Sequence, residues 1–115
     1  MTTRSTSRIT FEHVNSPQFQ GQSVRAVGKL VAMDDGHVQL VLAGSHEGGP
    51  VTTIVCPNGT HKYSPETMGK GHYEVIGQLQ SGQIMEMTSV YMGDNFDMGM
   101  YADMVSLTHQ FPDIF

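Results

Sequence analysis

Apolar residues recur every second position through most of this chain and every 3.6 positions after it, and the switch falls once, near Asp94. Ser23 to Met33 reads as a long strand with Gly28 at its centre, where a side chain would obstruct a sharp bend. His37 to Leu42 alternates Val38, Leu40 and Leu42 against His37, Gln39 and Val41, and the Asp35-Gly36 pair before it signals a hairpin. Val51 to Cys56 predicts a third strand, Tyr73 to Leu79 a fourth, and Gln83 to Met92 a fifth after the Ser81-Gly82 turn. Met85 and Met87 are expected to share a face of that last strand. Between the third and fourth strands, Pro57, Gly59, Pro65, Gly69 and Gly71 permit a single helical turn, with Ser64 as cap and Pro65 at its first position. Ile9 to Phe19 has room for one turn, ended by Pro17.

The last stretch reads as one capped helix. Asp97 can accept a hydrogen bond from a first-turn N–H, and Phe96 can pack on Tyr101 as a hydrophobic staple. Pro112 is expected to close the helix. Met100, Met104, Leu107 and Phe111 follow i, i+4, i+7, i+11, with Tyr101, Val105 and Thr108 in a second row. Two rows exceed what one packed face requires, so all seven residues are candidates for a partner interface. The organisation predicted is all-β with a C-terminal helix: a disordered segment over 1–8, a five-stranded OB-fold barrel over 9–94, and one α-helix over 95–115. A sandwich would need about seven strands.

Composition narrows the function more by exclusion. Six Lys+Arg against eleven Asp+Glu give a net charge of -5, which does not suit a surface that coats nucleic acid by itself. Barrels that grip single strands stack bases on exposed aromatics of the second and third strands, yet His37 to Leu42 and Val51 to Cys56 contain no Phe, Tyr or Trp. Arg25 and Lys29 share one face of the first strand and are candidates for a minor DNA contact, while Lys62 and Lys70 lie in the long connection. The six histidines are scattered, and none sits beside Cys56 at a ligand spacing, so no metal and no cofactor is expected. Cys56 reads as a small buried hydrophobe, and Asp34-Asp35, Asp94 and Asp97 read as turn and cap residues rather than an acid–base pair. No enzyme is expected. Neither a secretory leader nor a membrane-spanning run is visible, so an intracellular protein with no small-molecule substrate and no membrane contact is expected.

Arg8-Ile9, Val27-Gly28-Lys29-Leu30, Val75-Ile76-Gly77 and above all Phe96-Asp97-Met98-Gly99-Met100-Tyr101 running to Phe111-Pro112 make the chain resemble the smallest subunit of eukaryotic replication protein A, the heterotrimeric single-stranded-DNA binding complex. The resemblance implies a nuclear, non-enzymatic assembly subunit acting in replication, repair and recombination. It also implies partnership with the large and middle subunits through one helix from each chain in a three-helix bundle, with most DNA contact belonging to those partners. The smallest subunit of a telomere-capping trimer, and a self-sufficient OB module binding oligonucleotide, are the alternatives.

Overall fold

In the computed structural model, which describes residues 6–111, six strands form one sheet that closes on itself. In chain order they are β1 (Ser7–Arg8), β2 (Ser23–Met33), β3 (His37–Leu42), β4 (Thr52–Val55), β5 (His72–Gln80) and β6 (Gln83–Gly93), followed by helix α1 (Met98–Gln110). Closure depends on the length of β2. Its first half, from Ser23 to Lys29, pairs antiparallel with β5, and its second half, from Gly28 to Met33, pairs antiparallel with β3. The ladder continues from β3 to β4, crosses to β6 where Ile54 and Val55 run parallel to Ile84 and Met85, and returns through β5.

This is the predicted barrel with one strand added. Ser7 and Arg8, expected in the disordered segment, instead pair parallel with Val24 and Arg25 as β1. The next residue holds them there: Ile9 donates its N–H to the Arg25 carbonyl at 2.9 Å and buries its side chain completely. Residues 1–5 of that segment, and Pro112 with the last three residues, lie outside the described residues. Pro17 also departs from expectation. Two short 3-10 turns occur, Phe11–His13 and Pro17–Phe19, and Pro17 opens the second instead of ending a first, because a ring-fixed φ suits an initial helical position.

Even-numbered residues of β2 point inward as far as Leu30, where a register shift before Ala32 turns Met33 onto the core in their place. Val24, Ala26 and Leu30 pack with Val38, Leu40, Leu42, Ile54, Val75, Leu79 and Ile84 in the barrel core. A Cβ at Gly28 would stand 2.9 Å from Leu40 Cβ and from the Val41 carbonyl oxygen, so the close approach expected there is real. Gly77 is tighter still, since a Cβ would collide with the Met85 carbonyl. Opposite it, β6 carries an extra residue: Gly77 pairs with Glu86 but Ile76 with Thr88, which leaves Met87 as a bulge and breaks the alternation expected for Met85 and Met87. Ser81 and Gly82, at φ 52° and 79°, make the tight turn joining β5 to β6.

The long connection closes one end of the barrel. Its single 3-10 turn is Pro65–Thr67, with Ser64 in the cap position but without a capping bond from its hydroxyl. Two tyrosines fasten the loop instead. Ser64 N–H donates to the Tyr73 hydroxyl oxygen at 3.0 Å, Thr67 Oγ1 lies 3.0 Å from the same oxygen, and Tyr63, fully buried, donates to the Glu86 carboxylate. Burial and then that carboxylate push the Tyr63 hydroxyl well above its usual range. Cys56 is buried beneath the same loop, and burial, with Glu86 second, raises its thiol to about 11.

Candidate assembly interface

Local sequence sets the helix in place. Asp97 Oδ1 accepts the Met100 N–H at 2.9 Å, and the rings of Phe96 and Tyr101 lie 5.9 Å apart, so the expected cap and staple both form. The helix lies on the outer face of β2 and of Ala43, the residue that follows β3. Tyr101 and Val105 bury themselves there against Val27 and Ala43, with Met98, Ala102 and Met104 packed around them.

The seven candidate interface residues therefore divide. Tyr101 and Val105 are covered by the chain's own barrel, at 7% and 0% exposure, and are not free for a partner. The reason is that Val27 and Ala43 present an apolar strip on the outside of the sheet, which one helix row must cover. Met100, Leu107 and Phe111 remain open at 68%, 47% and 48% exposure. On a 3.6-residue helix these three and Met104 fall within an arc of about 60°, displaced by roughly 110° from the docked row. Met104 and Thr108 stand at the border, partly buried, and the Thr108 hydroxyl is turned back to the Val105 carbonyl at 2.7 Å. The docked side is not fully satisfied: Tyr101 Oη is buried without a hydrogen-bond partner, and burial raises its hydroxyl to about 12.

A second feature fastens the far end of the helix. His109 Nε2 donates to the Arg8 carbonyl at 2.8 Å, and its ring stacks on His13 with centroids 4.5 Å apart and planes 21° apart. Phe19 packs edge-on against His13 at 5.3 Å. His13 Nδ1 accepts the Thr10 N–H at 3.0 Å, and its Nε2 faces the Glu12 carboxylate at 3.5 Å. Burial and then neighbouring His109 lower the His13 pKa. Nothing in the sequence signals this contact, because 96 residues separate the two rings.

The two candidate DNA contacts, Arg25 and Lys29, each stand beside a carboxylate. Arg25 and Lys29 flank Val27 on the outer face of β2; Arg25 Nε lies 4.0 Å from the Glu74 carboxylate, and Lys29 Nζ lies 3.1 Å from Glu47. The Lys29 side chain is only 15% exposed. Lys29 is thus hydrogen-bonded to its carboxylate, while Arg25 Nε faces its own at ion-pair distance and is buried without a hydrogen-bond partner. Among the described residues no three His, Cys, Asp or Glu side chains gather as a metal site requires.

Comparison with known proteins agrees with this architecture. A search of curated protein sequences returns no match. Among solved structures, a chain of the Ustilago maydis replication protein A structure bound to single-stranded DNA superposes with a TM-score of 0.77 at 17% identity, over 99% of this chain and 98% of that one. The telomere capping protein Ten1 of Schizosaccharomyces pombe gives 0.72 at 18% identity, over 92% and 99%. A chain of the S. pombe Stn1–Ten1 complex gives 0.69 at 18% identity, over 95% and 96%. At these identities the likeness establishes the OB-type fold of barrel and helix. The family model described as replication factor A protein 3 matches residues 1–115, and the chain belongs to that family.

Proposed function

We propose that the protein is the small assembly subunit of a replication protein A heterotrimer, joined to the large and middle subunits through α1 in a three-helix bundle. The observation that carries this reading is the open row of Met100, Leu107 and Phe111 on a helix whose other apolar row is already docked. An exposed apolar stripe of this kind marks a protein interface, and a helix presenting it fits helix-against-helix packing. Single-stranded DNA is then held mainly by the partners, since the outer positions of β3 and β4, including His37, Gln39, Thr53 and Val55, offer no aromatic stacking platform and Arg25 and Lys29 are paired. The complex would act in replication, repair and recombination in the nucleus. No catalytic role is proposed for this chain.

The fold likeness to Ten1 keeps a telomere-capping trimer as the second reading, with the same barrel and helix serving chromosome ends. Affinity purification from the native source with mass spectrometry separates the two: large and middle replication protein A subunits are expected, and recovery of a telomere-capping pair in their place would transfer the reading. A fluorescence titration of the isolated chain with a labelled oligonucleotide tests the self-sufficient alternative. Binding as tight as that of the assembled complex would make the barrel a DNA site in its own right.

A further inference from the structure

Met100 combines two properties that together point to a modification site. It is the most exposed large apolar side chain among the described residues, and it sits on the helix row through which the chain is proposed to assemble. It belongs to neither packed core cluster, whereas Met98 and Met104, its neighbours along α1, pack against the docked row. A thioether in that position is open to oxidants while the subunit is free and closed to them once a partner helix covers it. We propose that oxidation of Met100 to its sulfoxide by a hydroperoxide blocks assembly, and that reduction restores it; the proposal rests on the assembly reading above.

The chemistry is a two-electron oxygen transfer. The sulfur lone pair attacks the terminal peroxide oxygen, the O–O bond breaks, and sulfoxide forms as the peroxide is reduced to water or an alcohol. Reversal by a methionine sulfoxide reductase uses thiol electrons and releases the oxygen as water. The product replaces a flexible apolar group by a polar one with a strong acceptor oxygen. Buried between helices that oxygen would find no donor among the adjacent side chains of its own row, Met104, Leu107 and Phe111, and would carry the cost of burying a polar group. In the free subunit the same oxygen faces water, so oxidation weakens the complex without unfolding the chain. Met87, at 56% exposure on the barrel, is the internal comparison, open to oxidant but off the helix, and Met68, at 39% in the long connection, is a less exposed one.

The test treats the isolated chain with dilute hydrogen peroxide, locates sulfoxide by peptide mass spectrometry, and then measures binding to the large and middle subunits. Each protein is compared with its own untreated form. Wild type carrying sulfoxide at Met100 is expected to bind roughly tenfold or more weakly, with binding regained after reductase treatment. Met100→Leu, a volume-conserving change without sulfur, is expected to lose less than about twofold on the same treatment, while Met87→Leu loses as much as wild type. Peroxide applied to the preassembled trimer should oxidise Met87 and spare Met100. Undiminished binding by wild type fully oxidised at Met100, or an equal loss in Met100→Leu, overturns the proposal. An untreated wild type that fails to bind the partners overturns the assembly reading, and this proposal with it.

Discussion

Truncating one residue from each apolar row of α1 should separate folding from assembly. Val105 is fully buried against Val27, Ala43 and Tyr101. Val105→Ala removes two methyl groups worth about 0.8 kcal/mol each, and the cavity adds to that. Alanine's better helix propensity returns about 0.5 kcal/mol. The net loss is about 1.5 kcal/mol in the isolated chain, a fall in Tm of roughly 6 °C for a domain of this size. Leu107 is 47% exposed, so Leu107→Ala should cost the isolated chain less than about 1 kcal/mol. Against the partner subunits the order reverses: Leu107→Ala should weaken binding by about 2–5 kcal/mol if the side chain becomes fully buried between helices, while Val105→Ala changes it little. Thermal unfolding by circular dichroism at low protein concentration gives the first comparison, and titration calorimetry against the partners gives the second. If Leu107→Ala lowers Tm as much as Val105→Ala, or binds the partners as wild type does, the division of the helix into a docked and an open row is wrong.

Acid should loosen the protein through His13. Its folded pKa lies below the ordinary value of 6.5, so the unfolded chain binds the proton more readily. Stability should be full above about pH 6.5, fall as pH drops from there through the lowered folded value, and level off below it; urea midpoints across that range should lose part of this slope in His13→Gln, and an unchanged slope refutes the assignment. Gly77→Ala should destabilise by about 3 kcal/mol or more through collision with the Met85 carbonyl, and a well-folded variant by denaturant titration would contradict the geometry. Arg25→Ala with Lys29→Ala should leave DNA binding by the assembled complex within about threefold of wild type across salt concentrations, since both cations are already paired. A loss above about tenfold with the trimer intact would make this barrel a primary DNA site.

The strands and the helix were legible because their signals are local. β2 and β3 begin and end where alternation and the Asp35-Gly36 turn place them, and Asp97 caps α1 as its position before an apolar run requires. What resisted reading depends on distant partners. Ser7 and Arg8 carry no periodicity and become a strand only because Ile9 is drawn into the core beside β2. Both apolar rows of α1 are visible in sequence, but which one docks is decided by Val27 and Ala43, small residues on the outside of a sheet whose faces the helix pattern does not contain. The engagement of Arg25 and Lys29 is hidden for the same reason: Glu74 and Glu47 reach them only after the barrel closes. Of the seven helix positions expected to be open to a partner, Tyr101 and Val105 are therefore covered by the barrel.

The bond from His109 to the Arg8 carbonyl brings the two ends of the described chain together, and this bears on how the protein can be handled. A bulky label carried on Ser7 or Arg8 would stand at the last turn of α1. On the proposed assembly, bulk placed there would crowd the partner subunits even though it is far from the helix in sequence. The loop between β3 and β4, whose Gly48 sits at φ 77° in an exposed tip, is the better insertion point for a label.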